Sequence, residues 1–217
     1  MSAVDVTRVA ERALLVRFDD TDLARAVARA HALRERWSRG GSRHEAILGA
    51  GSLLVRLDAA SSPAELDQAR RQLEREAAQA EGEPSRSPAT LHEIDVEFGG
   101  NAGPDLAAVA ATTGQAERAV VERLCESDLV VAFIGFSPGF PYLIGLPKAL
   151  EIPRLPSPRP RVPAGSVAIA GPFAGIYPSA TAGGWRLLGR SDVRLFDPGA
   201  TPPARLAPGD RVRLVAR

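Results

Sequence analysis

The pentapeptide Gly135-Phe136-Ser137-Pro138-Gly139 has the G-x-S-x-G form of a nucleophile elbow, the tight turn on which many hydrolases present a reactive serine. Two physical requirements are missing. The residue after the nucleophile must donate its backbone N–H to the oxyanion hole, and Pro138 has none. The triad order of that fold is serine, acid, histidine, whereas no histidine follows His92 in this chain. Other reactive groups fare no better. No G-x-x-x-x-G-K-[ST] loop occurs, and the glycine-rich stretch GAGSLLV at 49–55 leads into a strand rather than a helix, so any ATP is bound mainly by another chain. Cys125 has Glu122, Glu126 and Asp128 for neighbours, which raise a thiol pKa and quench its reactivity. Lys148, the single lysine, lies in GLPKAL without the signs of a desolvated amine.

What remains is a set of arginines, aromatics, glycines and prolines concentrated after residue 130. Arg159, Arg161, Gly165, Ser166, Tyr177, Trp185 and Arg190 are the candidate substrate-binding residues, and Phe136, Pro138, Gly139, Pro141 and Tyr142 the candidate pocket-shaping ones, in a run that also contains Phe140. Such a composition suits a rigid pocket for a small planar anion: arginine forks read a carboxylate, rings give apolar walls and glycines admit close backbone approach. The same residues can serve only to shape tight turns in a barrel, and the sequence leaves both readings open. No metal site is indicated, since one cysteine and the scattered His31, His44 and His92 cannot assemble structural zinc ligands. His92 itself reads as a surface or edge residue.

These residues need elements to hold them. The strand-like ALLVRF at 13–18 precedes a helical pattern over 22–37, with Leu23, Val27, Ala30, Leu33 and Trp37 on one face. SLLVRLD at 52–58 is a second strand, and Ser62 with Pro63 opens a helix through Leu66, Ala69, Leu73 and Ala77. The Pro- and Ser-rich segment 81–90 reads as a linker, dividing the chain into an α/β domain at 1–84 and a second domain at 85–217. In the second, HEIDVEF at 92–98 is a strand, and short helices are expected after Pro104 and over 115–126. From 129 onward, short apolar runs separated by Gly and Pro (LVVAFIGF, SVAIAG, GIYP, WRLLG, VRLFD, DRVRLVAR) predict a β-barrel or sandwich. The prolines at 153, 156, 158, 160 and 163 force one connection to run extended.

Composition bounds the partners. With 217 residues, 45% of them hydrophobic and 24% charged, the chain can bury one large core or two modest ones. Apolar runs long enough to span a membrane are missing and the N-terminus reads as no signal peptide, so a cytoplasmic location is expected. The net charge of +1 conceals an asymmetry: residues 131–217 carry eleven basic and four acidic side chains. Without a recognisable nucleic-acid module, this excess points to a small anionic ligand or an acidic partner surface, or to solvated arginines on a β surface.

The pieces GFSPGFPYL, PR-x-R-VPAGSVAIAG, GIYP, GGW-x-LLGR, LFDP and LAPGDRVR, in this order and spacing, resemble the allophanate hydrolase subunit 1 family, which includes the B subunit of 5-oxoprolinase and the KipI inhibitors of sporulation histidine kinases. GPDLAAVA at 103–110 and SLLVRLD at 52–58 extend the resemblance over essentially the whole chain, which is also similar to one half of the carboxyltransferase region of urea carboxylase. The resemblance implies an α+β chain with a small N-terminal ferredoxin-like domain followed by a cyclophilin-like β-barrel. It further implies a subunit that pairs closely with a C subunit and works with an A subunit to open 5-oxoproline, a small anionic amide, at the expense of ATP; the alternative is a KipI-type protein that inhibits a sensor kinase, and a third is a carboxyltransferase-like half acting on another small amide. Departures from the family pattern fall at Asn101, Leu124, Phe173 and Ala174, where apolar groups replace hydrogen-bonding ones in the last three. Such replacements alter substrate recognition more than fold.

Overall fold

The computed structural model describes residues 3–39, 44–59, 61–80 and 89–217. The chain divides into two compact units, Met1–Pro88 and Ala89–Arg217. Most of the segment read as a linker, residues 81–88, lies outside the described residues. Among the described residues no helix is long and apolar enough to cross a membrane.

The first unit runs β1 (Ala3–Ala10), β2 (Ala13–Asp19), α1 (Leu23–Arg39), β3 (Glu45–Gly49), β4 (Ser52–Arg56) and α2 (Pro63–Ala78), with an antiparallel sheet in the order β1-β2-β4-β3. The period-two alternation of strands puts Leu14, Val16, Phe18, Leu53 and Val55 on one buried face. Helix α1 covers that face with Val27, Ala30, Leu33 and Trp37, and α2 with Leu66, Ala69 and Leu73. Helix α2 starts where the sequence indicates. Ser62 accepts from the Glu65 amide, the Glu65 carboxylate accepts from the Ser62 amide, and Pro63 occupies the first turn. The run from β2 to α2 is the split βαβ pattern of ferredoxin-like sheets, with β1 added at the edge beside β2.

The second unit contains β5 (Leu91–Phe98), α3 (Leu106–Thr113), α4 (Glu117–Cys125), β6 (Leu129–Ile134), β7 (Pro141–Ile144), a 3-10 turn at Lys148–Leu150, β8 (Arg159–Val162), β9 (Ser166–Ala170), β10 (Phe173–Ile176), β11 (Thr181–Gly183), β12 (Arg186–Arg190) and β13 (Arg211–Ala216). Seven of these strands close into a barrel in the order β10-β7-β6-β13-β5-β12-β9, while β8 and β11 form a separate two-stranded ribbon. The barrel is seamed by a parallel pairing of β5 with β13, so the first and last strands of the unit lie side by side. Closure removes the exposed strand edges that an open sheet would present.

Alternation along the strands separates two apolar clusters. Ile94, Val131, Leu143, Val167, Ile169, Ala174, Ile176, Leu188, Val212 and Leu214 join Leu106, Val109, Val120 and Leu124 of the helices in the main core. Their oppositely directed neighbours, Ala168 and Leu187, form a second cluster with Phe140, Tyr177 and Val162, the last contributed by the ribbon strand β8. This second cluster is the one that carries the aromatic residues. The run 193–197, expected as a strand, makes only an isolated bridge between Phe196 and Ala204. The Asp197 carboxylate accepts from the Gly199 amide at 3.0 Å and turns the chain there.

Candidate functional site

The loop between β6 and β7 is held by its own backbone. The Gly135 amide donates to the Phe140 carbonyl at 3.1 Å and the Phe140 amide to the Ser137 carbonyl at 3.0 Å. At its tip the Ser137 amide donates to the Gly135 carbonyl at 2.7 Å, and the intervening Phe136 has φ of 65°. This is the positive-φ γ-turn, a strained conformation for a residue with a Cβ. Such strain costs on the order of 1–3 kcal/mol and gathers at functional sites. Phe136 is also the most exposed of the large apolar residues described, at 62%.

Phe140, buried at the centre, meets four rings in tilted or edge-to-face contact: Phe136 at 5.5 Å, Tyr142 at 5.2 Å, Tyr177 at 5.1 Å and Trp185 at 5.4 Å. Tyr142 in turn stacks on Phe133 at 4.2 Å and meets Phe173 and Trp185, each at 5.5 Å. These pairings are worth about 0.5–1.5 kcal/mol each beyond area burial, so the rings hold one another in a fixed cluster. Gly175 makes the close packing possible: a Cβ there would stand 2.9 Å from both Phe140 and Trp185. Burial raises the phenol pKa of both Tyr142 and Tyr177, the latter opposed by a backbone hydrogen bond from Trp185 and by the charge of Arg159.

One buried carboxylate ties the ribbon to the barrel. Asp105 Oδ1 accepts from Arg159 Nη2 at 2.6 Å, its Oδ2 accepts from the Leu187 amide at 2.7 Å, and its own amide donates to the Leu187 carbonyl at 3.0 Å. Arg159 Nη1 stands 3.5 Å from the Trp185 carbonyl, a long contact. The pair therefore orients a guanidinium beside the aromatic cluster and spends only part of its donor set. Nothing in the sequence singles out Asp105, because an acid before an apolar run reads as a helix cap; here it precedes α3 but makes no side-chain cap, reaching β12 instead.

The structure brings Phe136, Tyr142, Tyr177 and Trp185 together, with Arg159 at Trp185. Arg161 is different. Val162 faces the aromatic cluster, so alternation turns Arg161 away, and it is exposed with no ion pair among the described residues. Arg190 is likewise exposed, at the end of β12 across from Ser166, which is buried in β9. Gly165 supplies no free donor, because its amide is bound to the Tyr177 carbonyl at 2.7 Å. Gly139 and Pro141 are buried in the loop and at the start of β7, whereas Pro138 is exposed. His92 is half-buried and lies 3.1 Å from Asp210. The Cys125 thiol is pushed up, by burial first and by Glu126 second. The first unit has its own open concavity of about 510 Å³, lined by Glu11, Arg12, Glu45, Arg56 and Asp58. Its Arg56 is paired with Glu45, and its Arg12 donates to the Ala59 carbonyl.

Residues 4–206 match the family described as carboxyltransferase domain, subdomain C and D. The chain belongs to this family. The B subunit of 5-oxoprolinase from Escherichia coli O157:H7 is 54% identical over 123 residues, 57% of this chain and 56% of that protein. The B subunit of 5-oxoprolinase from Bacillus subtilis strain 168 is 46% identical over 123 residues, 57% of this chain and 51% of that protein. The chain thus spans just over half the length of the curated relatives it matches. The crystal structure of TTHA0988 superposes with a TM-score of 0.77 at 36% identity, over 95% of this chain and 40% of that one. In this carboxyltransferase-domain chain the aromatic cluster gives a direct pH prediction. Both of its tyrosines, Tyr142 and Tyr177, lie in the cluster, so phenolate absorbance reads that place alone. The unfolded chain ionises near pH 10 while the folded one holds its protons, so the tyrosine contribution is complete below about pH 10 and is lost as pH rises above it. Native-state titration of both phenols in the ordinary range would contradict the burial of the cluster.

Proposed function

We propose that the chain is the B subunit of an ATP-dependent 5-oxoprolinase, acting with A and C subunits to convert 5-oxoproline to glutamate. What carries the reading is a cluster of aromatic rings beside one oriented guanidinium, in a chain whose curated relatives bear that subunit's name. 5-Oxoproline is a small lactam ring bearing a carboxylate. The exposed ring of Phe136 and the half-buried rings of Tyr142 and Trp185 offer its faces an apolar wall, and the unspent donors of Arg159 meet the carboxylate. Asp105 is a positioning residue, holding that guanidinium in place.

Among the described residues, the two candidate nucleophiles are unsuited to attack the lactam. Ser137 precedes a proline that cannot donate to an oxyanion, and the Cys125 thiol is raised rather than activated. Its share is therefore binding and orientation. On this reading another component binds ATP, and the C subunit completes the site.

Reconstitution tests this division of labour. The purified chain alone should neither hydrolyse ATP nor open 5-oxoproline, and 5-oxoproline-dependent ATP hydrolysis should need the chain together with its A and C partners. Single-chain turnover that survives Ser137→Ala, or full activity of A and C without this chain, would remove the reading.

A further inference from the structure

Both helices of the first unit lie on one face of its sheet, and the residues that point the other way sort into three rows across β1, β2, β4 and β3. The strand register makes the middle row Thr7, Leu15, Leu54 and Ile47. Apart from one hydroxyl this row is apolar, with Leu15 and Leu54 half-buried and Ile47 exposed at 41%. On one side of it run Asp5, Arg17, Ser52 and Gly49, and on the other Ala10, Ala13, Arg56 and Glu45. Charges are matched within each outer row, Arg17 with Asp5 at 3.1 Å and Arg56 with Glu45. Each outer row thus has a long-chain half and a small half, and the two long halves lie at diagonally opposite corners. The open concavity of about 510 Å³ takes in all four residues of the alanine row, where the surface dips beside Arg56 and Glu45.

We infer that this face is a docking surface for a second copy of the chain, seated face to face about a two-fold axis in the plane of the interface. Such an axis matches the face to itself. Whether it runs along the strands or across them, the middle row lies over the middle row of the other copy. Each charged pair, Asp5 with Arg17 or Glu45 with Arg56, then lies over a small pair, Gly49 with Ser52 or Ala10 with Ala13. Long side chains enter the shallow half of the facing row, and every charge keeps the partner it has within its own chain, so none is buried alone. The result is an apolar centre with a polar rim. With two arginines and two carboxylates, nothing on this face selects a charged occupant. Four strands about 4.8 Å apart and five residues deep at about 3.3 Å each cover roughly 300 Å², below the ~800 Å² per partner of a standard interface, so the association is of the weak, concentration-dependent kind. It is independent of the chemistry of the second unit.

Sedimentation equilibrium of the full chain tests this, and should show a reversible monomer–dimer equilibrium across the micromolar range. Ile47→Lys and Leu54→Lys each place two uncompensated charges in the apolar centre, one per copy, and should weaken association about a hundredfold or more with an unchanged far-UV circular dichroism spectrum. Ile47 is exposed on the edge strand β3, so its variant folds even where a lysine at the half-buried Leu54 does not. Thr7→Val completes the apolar row in both copies and should tighten the dimer about tenfold. A dimer that survives both lysine variants, or that Thr7→Val fails to tighten, lies on another surface and overturns the inference. A chain that stays monomeric throughout overturns it as well, and loss of co-elution with the C partner in Ile47→Lys would then assign the face to that subunit.

Discussion

Replacing Asp105 by alanine is expected to destabilise the barrel unit by about 2–4 kcal/mol and to release the Arg159 side chain from its fixed position. The magnitude follows from what is left behind. The Leu187 amide, buried on β12, loses its acceptor at 2.7 Å, and an orphaned buried donor costs about 1–3 kcal/mol. Arg159 loses its charged partner as well, but at 28% side-chain exposure it can turn partly to water, which keeps the total below that of a fully buried broken pair. Asp105→Asn keeps an acceptor for Leu187 and loses only the charge, so it should cost roughly half as much. Urea denaturation followed by Trp185 fluorescence in a Trp37→Phe background reads this unit alone, since Trp37 belongs to the first one. Equal stability of both variants and the unaltered chain would mean that Asp105 does not tie the ribbon to the barrel.

That carboxylate also marks the limit of what the sequence discloses. The helices were legible because their apolar period is strong and α2 carries an explicit capping box, Ser62 to Glu65. Strands β1 and β3 were not anticipated. In β1, AVDVTRVA, polar residues interrupt the apolar ones on an exposed edge, and β3 is only five residues long. Strands β7 and β8 begin at or contain prolines, which argue against a central strand yet are tolerated at a strand's first residue or on a ribbon edge.

For the site, residue type could be read but direction could not. Aromatics and arginines were visible in the chain after residue 130, but whether Arg159 or Arg161 meets the aromatic cluster depends on the pleat of β8 and on a partner 54 positions away. The Asp105 contact to Leu187 spans 82 positions and leaves no local trace. Ser137 was visible as a failed nucleophile; that its hydroxyl is buried without a partner emerges only from the fold.

Gly165, which sequence composition placed beside the ligand, is expected to behave instead as an architectural residue: Gly165→Ala should cost about 3–5 kcal/mol. Its φ of 80° is a left-handed conformation that costs a residue with a Cβ about 1–2 kcal/mol. A Cβ there would also stand 2.0 Å from the Ser191 carbonyl oxygen, a backbone atom that cannot swing aside. That approach is fixed from both sides, because the Gly165 amide donates to Tyr177 and its carbonyl accepts from the Ser191 amide at 2.9 Å. Relief of the clash must open the junction that holds Tyr177 in the aromatic cluster, so ligand binding should fall together with stability. Gly171, at the other end of β9, provides the control. Its φ of 53° is also left-handed, but a Cβ there would meet nothing within 4 Å, so Gly171→Ala should cost only the backbone strain, about 1–2 kcal/mol. Urea denaturation of the two variants separates conformational strain from steric exclusion. Equal losses would show that the close approach to Ser191 does not require glycine, whereas lost binding by a fully stable Gly165→Ala chain would return this residue to direct contact with the ligand.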